Sequence, residues 1–475
     1  MHRRAQPWSV LANIQQKAFA PVDIASLVFF RIAFGLLMAW EIWRYYMHGW
    51  VAAEWIEPPF HFKYYGFSWV EPWPGNGMYV HWATLGVLGL FIAAGFLYRV
   101  SAALFFLGFS YTFLLDEGTY LNHNYLICLF SFLSIFVPAN RAFSIDAWLN
   151  PKIRSATIPV WSIWLLRAQM GFVYFYGGVA KIEPDWLRGE PMRAWLEWRT
   201  DFPVLGRFFR EEWMVFGMTY GGLLLDLLIV PFLLWRRTRV AAFCVALAFH
   251  LMNAKWFTIG VFPWLAIAPT TLFLSPSWPR RIIGLFRSST PWPLKIDWKL
   301  PSRPKQLIVL SFVAVYVAIQ VLIPLRYLLY PGRVNWTHEG HRFSWRMMLS
   351  RIHTHAFFYV TDPNSGRTAQ VNPREYLNER QMSKMGYRPD MILQFAHYLA
   401  SSIPHLGLKP LKVEARILNS LNGRKAELFV DPNVDLAAEP LSLKHARWLL
   451  PMHEPLPPRR TDFSEDPFAR QFDAE

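Results

Sequence analysis

The chain has 475 residues, of which 53% are hydrophobic and only 17% are charged, and its formal net charge is +15. Soluble globular proteins carry about 25% charged residues, so this composition excludes a soluble globular protein and indicates an integral membrane protein. The positive charge does not indicate a nucleic-acid partner, because many lysines and arginines lie in short loops between apolar runs, where they set membrane topology. Cys128 and Cys244 both lie inside apolar runs, which argues against a disulfide framework.

Nine apolar runs are predicted to cross the membrane as helices, since several approach the ~20 residues that a crossing helix needs. They lie near residues 26–47, 80–98, 100–115, 122–138, 158–180, 216–235, 239–253, 256–275 and 307–329. The seventh run is short and is predicted to form a tight hairpin with the eighth. In the first run, Glu41 and Arg44 are three residues apart on one helical face, which favours an intramembrane ion pair. We therefore predict a polytopic all-α membrane domain over residues 25–329.

The loop charges predict the orientation of these helices. Arginines and lysines concentrate in alternate loops, which places the N-terminal segment 1–24 in the cytoplasm by the positive-inside rule. Nine crossings then put residues 330–450 on the extracytoplasmic side, at the inner membrane if the protein is bacterial. Residues 356–360 and 412–417 are typical of strands and residues 374–402 of a helix, so this region is predicted to be a small α+β domain. Residues 451–475 are predicted to be a disordered tail.

The stretch from Tyr174 to Trp186 is the most informative part of the sequence. An aromatic run ends in Gly177 and Gly178 with a single lysine, Lys181, close behind. A lysine at the end of an apolar helix either reaches the lipid headgroups as an anchor or holds a buried amine that can act as a base. The stretch alone favours the anchor, because anchoring lysines are common at helix ends.

The predicted topology places further polar residues at the same outer membrane level as Lys181. These are Asn122 and His123 at the start of the fourth run, His250 and Asn253 at the end of the seventh, and Trp336, Thr337 and Trp345 where the ninth surfaces. Each has a structural alternative: Asn122 and His123 are also typical of a helix cap, and His250 of a hydrogen-bonded core histidine. Asp226, an intramembrane carboxylate, is either functional or, as we favour, a structural partner for Arg167 or another buried cation.

Several motifs together make the chain similar to a known family. They are Phe30–Gly35, Leu121–Leu126, Leu166–Gln169, Tyr174–Gly189, Gly222–Leu227, His250–Asn253, Phe257–Pro263, Ser275–Arg280, Asn335–Thr337, Phe343–Met348, Asn419–Gly423 and Phe429–Pro432. The chain resembles the vitamin K-dependent γ-glutamyl carboxylases and their bacterial relatives, which share the HTTM membrane region. The resemblance extends over roughly residues 25 to 450.

The resemblance implies an enzyme that couples oxidation of vitamin K hydroquinone by O₂, to the 2,3-epoxide, with addition of CO₂ to the γ-carbon of a peptide glutamate. No metal is implied, and the quinone comes from the membrane pool. Lys181 matches the family's base and His123 a second catalytic residue. The quinone site is expected to comprise Asn122, His123, Tyr174, Gly178, His250 and Asn253, and the substrate site Trp336, Thr337 and Trp345. For Lys181 to act as a base, Glu183 and Asp185 are expected to turn away from it, because a bonded carboxylate favours the charged ammonium.

The chain also departs from the family pattern. The doubled lysine of the family reads Ala180-Lys181 here, and the cysteines of the disulfide in animal members have no counterpart. The segment after Pro432 is also short, so recognition of a propeptide is expected to be reduced. Two alternatives therefore stay open, a quinol epoxidase that does not carboxylate and a non-catalytic membrane binding protein.

Overall fold

A computed structural model describes residues 15–257, 259–286, 300–402 and 411–457. Within these ranges the chain forms a large helical part followed by a smaller part built on an antiparallel sheet. The first 14 residues of the predicted cytoplasmic segment and residues 458–475 of the predicted tail lie outside the described residues, as does Thr258 of the Phe257–Pro263 motif.

The helices of the first part follow the predicted apolar runs, with short helices in the loops between them. They are α1 (Ala25–Met47), α2 (Trp50–Trp55), α3 (Gly77–Ala94), α4 (Tyr98–Leu115), α5 (Asn122–Phe136), α6 (Ile145–Leu149), α7 (Val160–Ala180), α8 (Pro184–Leu187), α9 (Met192–Glu197), α10 (Glu212–Leu234), α11 (Arg239–Trp256), α12 (Phe262–Thr270), α13 (Trp278–Phe286) and α14 (Arg303–Leu322). Strands β1 (Pro21–Asp23) and β2 (Thr157–Pro159) pair as a small antiparallel ribbon.

Five helical segments among the described residues are long and apolar enough to cross a membrane. They are α1, α3, α4, α10 and the segment Arg303–Leu329, in which a 3₁₀ turn extends α14. Each of the nine predicted runs holds a helix, but α5 and the Phe262–Phe273 segment are shorter than a crossing helix. The structure thus supports a membrane part with several helices, while nine crossings and their orientation stay predictions. The predicted hairpin partners, α11 and α12, do pack against each other.

Two charged side chains of α1, Arg31 and Glu41, are buried in the helical part. Arg31 is 1% exposed and donates hydrogen bonds to the carbonyl oxygens of Ala139 (2.8 Å) and Ala142 (3.2 Å). It therefore satisfies backbone acceptors in the loop after α5, which otherwise lack partners away from water. The predicted ion pair of Glu41 with Arg44 is confirmed, with a distance of 2.6 Å between Oε2 and Nη1.

The second part is α+β, as predicted. Strands β3 (Ile352–Thr361), β4 (Thr368–Val371), β5 (Lys412–Leu421) and β6 (Glu427–Leu428) form an antiparallel sheet in the order β4-β3-β5-β6. Its helices are α15 (Val334–Thr337), α16 (Glu379–Met385) and α17 (Pro389–Ser402). The single helix predicted over 374–402 is wrong, because Pro389 cannot continue a helix that begins before it and the chain turns at Gly386. There, the added Cβ of an alanine would lie 2.1 Å from Thr354 Cγ2 of β3.

Polar contacts join the second part to the loops at one end of the helical part. Arg342 pairs with Glu117 at 3.0 Å, and the side chain of Asn378 donates to the carbonyl oxygen of Ala53 at 2.9 Å. Phe62, from the loop after α2, is fully buried in the core of the second part. The sheet domain therefore covers the helix ends at which Lys181 lies.

Close packing of α1 on α3 generates a test of the fold. An alanine Cβ at Gly35 would lie 2.5 Å from both the Ala93 nitrogen and the Gly89 carbonyl oxygen. An alanine Cβ at Gly221, on α10, would have no neighbouring atom within 4 Å. Gly35→Ala is therefore expected to destabilise the protein by about 1–3 kcal/mol, as overpacking does, and Gly221→Ala to leave it unchanged or slightly more stable. Thermal unfolding in detergent measures both variants, and equal midpoints would contradict this packing.

Candidate active site

A cavity of about 1470 Å³ lies between the helical part and the sheet domain. Six of the residues predicted from the sequence to form the site line it, namely Asn122, His123, Tyr174, Lys181, His250 and Asn253. The helical part contributes apolar side chains as well, among them Met170, Val173 and Phe249. The opposite wall comes from residues 346–352 and 378–388 of the sheet domain. The cavity thus has one wall from each part of the chain.

Lys181 is held at the end of α7 by three neighbours. Its Nζ donates to Asp226 Oδ2 at 2.6 Å and to the carbonyl oxygen of Gly177 at 3.1 Å. The same nitrogen lies 5.4 Å from the ring centroid of Trp186, and the indole of Trp186 donates to the carbonyl oxygen of Thr219 on α10 at 3.1 Å. Lys181 is only 8% exposed. A lysine that anchors a helix in the headgroups reaches outward to water, so this geometry departs from the anchor interpretation.

Asp226 is the residue of the site whose partner the sequence did not identify. We expected a structural partner for a buried cation, and the cation is Lys181. Arg167 instead donates to the carbonyl oxygens of Leu272 (2.7 Å) and Leu274 (3.2 Å). The available signal was a lone carboxylate within one apolar run and a lone lysine at the end of another, two charges that each need a partner.

Glycines bring α7 and α10 close enough for this ion pair. An added Cβ at Gly178 would lie 2.7 Å from Leu227 Cδ2 and 3.0 Å from the Leu227 nitrogen, and one at Gly177 would lie 3.2 Å from Asp226 Oδ2. Gly178 does not line the cavity. Its contact is with the neighbouring helix, so its predicted place at the quinone site is corrected to helix packing.

Glu183 and Asp185 turn away from Lys181, as expected. Glu183 caps α8 by accepting a hydrogen bond from the Trp186 nitrogen at 3.1 Å. Burial, together with the nearby charge of Asp185, raises the pKa of Glu183 to about 7. Asp185 is paired with Arg424. Burial raises the pKa of Asp185, but the hydrogen bonds and charge of Arg424 outweigh burial and hold this pKa below its usual value.

Tyr174 and His250 form a polar cluster inside the helical part. The Tyr174 hydroxyl lies 2.8 Å from His250 Nε2 and 3.1 Å from Thr270 Oγ1, and Thr270 donates to the carbonyl oxygen of Ala266. His250 Nδ1 is buried without a hydrogen-bond partner. A buried polar atom without a partner costs free energy, so a ligand in the cavity that bonds this nitrogen would be favoured.

Asn122 and His123 begin α5 at the edge of the cavity. The residue at the N-cap position is Leu121, and no side chain caps the helix, so the capping alternative does not describe Asn122. Its Oδ1 accepts from the Tyr120 hydroxyl at 3.1 Å. The His123 ring lies 6.5 Å from that of Phe262, between centroids.

The three residues predicted to bind the substrate do not line the cavity. Trp336 is buried in the core of the sheet domain and donates to the carbonyl oxygen of Leu450 at 2.9 Å. Thr337 Oγ1 accepts from the Glu339 nitrogen, and Trp345 is fully buried 5.1 Å from the ring of Tyr125. All three side chains are buried, and none of them is part of the cavity lining. Residues 346–352, which follow, supply the lining instead.

Cationic and imidazole side chains of the sheet domain form a wall that sequence reasoning missed. They are His338, His341, Arg346, Arg380, Lys384 and Arg388. Burial and then the charge of Arg388 lower the pKa of both Lys384 and His338 well below the usual values. Arg388 Nε and Nη1 have no hydrogen-bond partner. The signal in the sequence was the four-residue spacing of Arg380, Lys384 and Arg388, which in a continuous helix places side chains on one face. Because α16 ends at Met385, only Arg380 and Lys384 lie on that helix.

Among the described residues, no group of three or more histidine, cysteine, aspartate or glutamate side chains is arranged to bind a metal ion.

Family comparisons cover both parts of the chain. The family model of the HTTM domain matches residues 19–278, and that of the vitamin K-dependent gamma-carboxylase lumenal domain matches residues 305–455. No solved structure matches the chain. The two matches confirm the resemblance found in the sequence and point to vitamin K-dependent gamma-carboxylation of glutamate-containing proteins in general. The chain belongs to the vitamin K-dependent gamma-carboxylase family.

Proposed function

We propose that the protein couples oxidation of vitamin K hydroquinone to carboxylation of a peptide glutamate, with Lys181 as the base that accepts the quinol proton. The observation that carries the proposal is the buried amine of Lys181 beside Asp226, on the wall of a cavity that six predicted site residues share. If the protein were a non-catalytic binding protein, Lys181, Asn122 and His123 would not be expected to line one cavity. Their common cavity therefore favours an enzyme.

The cavity fits a quinone ring chemically. Met170, Val173 and Phe249 offer apolar surface, while His250 Nδ1 is a buried polar atom that lacks a partner. Tyr174, His250, Asn122, His123 and Asn253 are the residues that we propose hold the ring. Vitamin K hydroquinone, when bound, supplies the electrons that reduce O₂ and leaves as the 2,3-epoxide with water as the second product.

The bond to Asp226 favours the charged ammonium of Lys181, so a base role for Lys181 requires that its proton can move to Asp226 Oδ2. Burial disfavours both charges of the pair, and transfer of one proton from Nζ to Oδ2 removes both charges together. At 2.6 Å the two groups are close enough for one proton to move between them. Whenever that proton lies on Asp226, Lys181 presents a neutral amine. The carbonyl oxygen of Gly177 and the Trp186 ring then keep the amine in place.

The wall of the sheet domain supplies a second set of contacts. Arg346 and Arg388 contribute positive charge to the lining of the cavity, which favours an anionic side chain such as glutamate. The coupled reaction breaks the γ C–H bond of that glutamate, releases the proton and forms a C–C bond to CO₂. Epoxidation without carboxylation is the runner-up function, and it needs only the quinone side of the cavity.

Replacement of Lys181 tests the role of the base. Lys181→Arg keeps a cation for Asp226, but a guanidinium stays protonated, so the variant is expected to fold and to lose about 10²–10⁴-fold in epoxide formation, the usual contribution of a general base. Lys255→Arg is the matched control, because Lys255 is exposed and lies outside the cavity. Purified variants receive vitamin K hydroquinone and O₂, and epoxide is measured by chromatography. Equal epoxide formation by Lys181→Arg and the wild type would reject Lys181 as the base.

Replacement of Asp226 tests the shared proton. Asp226→Asn removes the negative charge that favours the Lys181 ammonium, so the acidic limb of the pH–rate profile is expected to move to lower pH. The rate at the optimum is expected to fall about tenfold or more, because the amine is held less rigidly. Epoxide formation is measured across a pH series with wild type alongside. A variant with the wild-type profile and rate would show that Asp226 does not act with Lys181.

A further inference from the structure

A buried ion pair joins the Lys181 segment to the sheet domain. Arg424 donates two parallel hydrogen bonds to Asp185, from Nη1 to Oδ2 at 2.6 Å and from Nη2 to Oδ1 at 2.7 Å. The Arg424 and Asp185 side chains are 3% and 5% exposed. A bidentate pair of this kind fixes direction as well as distance, so it sets how Asp185 is oriented against the sheet domain.

Asn422 extends this pair to the cavity wall. Its Nδ2 donates to Asp185 Oδ2 at 2.9 Å, and its Oδ1 accepts from the Arg351 nitrogen at 2.8 Å. The Asn422 nitrogen in turn donates to the Arg351 carbonyl oxygen at 2.8 Å. The backbone of Asn422 is left-handed, with a φ of 53°, a conformation that asparagine tolerates better than most residues. Arg351 belongs to the 346–352 wall of the cavity.

On its other side the pair leads to the amine of Lys181. Asp185 is followed directly by Trp186, whose ring lies 5.4 Å from Lys181 Nζ and whose indole is bonded to Thr219. One continuous set of contacts therefore runs from the Arg351 backbone through Asn422, Asp185 and Trp186 to Lys181.

Two further donors of Arg424 are also used. Nε donates to the Glu454 carbonyl oxygen and Nη1 also to the Leu421 carbonyl oxygen, each at 3.1 Å. Arg424 thus has only partners within the protein and is no candidate for contact with a ligand. The desolvation cost of burying two charges offsets much of their Coulombic attraction, so a buried ion pair is weak evidence for a gain in stability. A requirement for a defined geometry explains such a pair better.

The segment that leads into the 346–352 wall also has a constrained backbone. His338, Phe343, Trp345 and Met348 have φ values of 54°, 64°, 57° and 55°, which are strained for residues other than glycine. Strained backbone persists only where the surroundings fix it strongly, and it is typical of functional sites. The contact of Arg351 with Asn422 fixes the C-terminal end of this segment.

We infer that Arg424, with Asn422, is a positioning residue that sets the distance between the Lys181 amine and the 346–352 wall of the cavity. The inference rests on the proposed function, since it takes Lys181 as the base and the wall as the peptide side. Arg424 acts through Asp185 and Trp186 and touches no reacting atom. Loss of its geometry is therefore expected to lower turnover and to leave quinol binding largely intact.

Arginine-to-lysine substitutions at two buried pairs test this inference. Arg424→Lys keeps the charge but cannot form the fork with Asp185. Arg342→Lys is the matched control, because Arg342 also joins the sheet domain to the helical part, through Glu117, and does not line the cavity. Each variant is assayed for kcat and KM in epoxide formation with a glutamate peptide present, and for thermal unfolding. Backbone hydrogen exchange of residues 181–187 and 346–352 is measured by mass spectrometry without any substrate.

For Arg424→Lys we expect kcat to fall about ten- to a hundredfold, the usual effect of a misplaced reacting group, with KM for the quinol within about twofold. Exchange is expected to rise in both segments together. Arg342→Lys should keep kcat even if its unfolding midpoint falls equally. Wild-type exchange in both segments of Arg424→Lys, or the same kcat loss in Arg342→Lys, would overturn the inference. If the wild type forms no epoxide, the proposed function fails, and the exchange measurement alone decides on Arg424.

Discussion

The ion pair of Lys181 with Asp226 is the interaction on which the architecture of the site depends. Two charged groups within the apolar part of a membrane protein are costly unless they are paired. Their pairing requires α7 and α10 to approach within side-chain reach, and Gly177 and Gly178 allow that approach. A larger side chain at either glycine would collide with Asp226 or Leu227. The helix packing and the chemistry of the amine are therefore two consequences of the same local sequence.

The second constraint is that the cavity is incomplete without the sheet domain. The helical part supplies Lys181 and the Tyr174–His250 cluster, while the sheet domain supplies the cationic wall. In a site between the two parts, the helical part can contact an apolar ligand and the sheet domain can contact a polar peptide. Such a site requires a fixed position of the sheet domain relative to the helical part. The buried contacts of Asp185 with Arg424 and Asn422 fix this position close to the base, because Asp185 is four residues beyond Lys181.

Local patterns in the sequence predicted the elements and several contacts. Apolar runs located the helices, alternation located β3 and β5, and helical spacing predicted the Glu41–Arg44 pair. Interactions between distant segments were harder, because helix packing decides them. The pairing of Lys181 with Asp226 spans 45 residues. The cationic wall depends on where α16 ends, which Gly386 and Pro389 determine. Trp336 and Trp345 were predicted to bind the substrate from similarity to a motif, and they lie outside the cavity lining. Such similarity identifies a segment but not the direction of its side chains.

The mass of a glutamate peptide tests the account most directly. The peptide is incubated with vitamin K hydroquinone, O₂, labelled bicarbonate and either the wild-type protein or the Lys181→Arg variant. The account predicts a gain of one labelled CO₂ per modified glutamate with the wild type, and an unchanged mass with the variant. The same gain with both proteins would contradict a role for Lys181 as the base, and no gain with either protein would contradict carboxylation as the function.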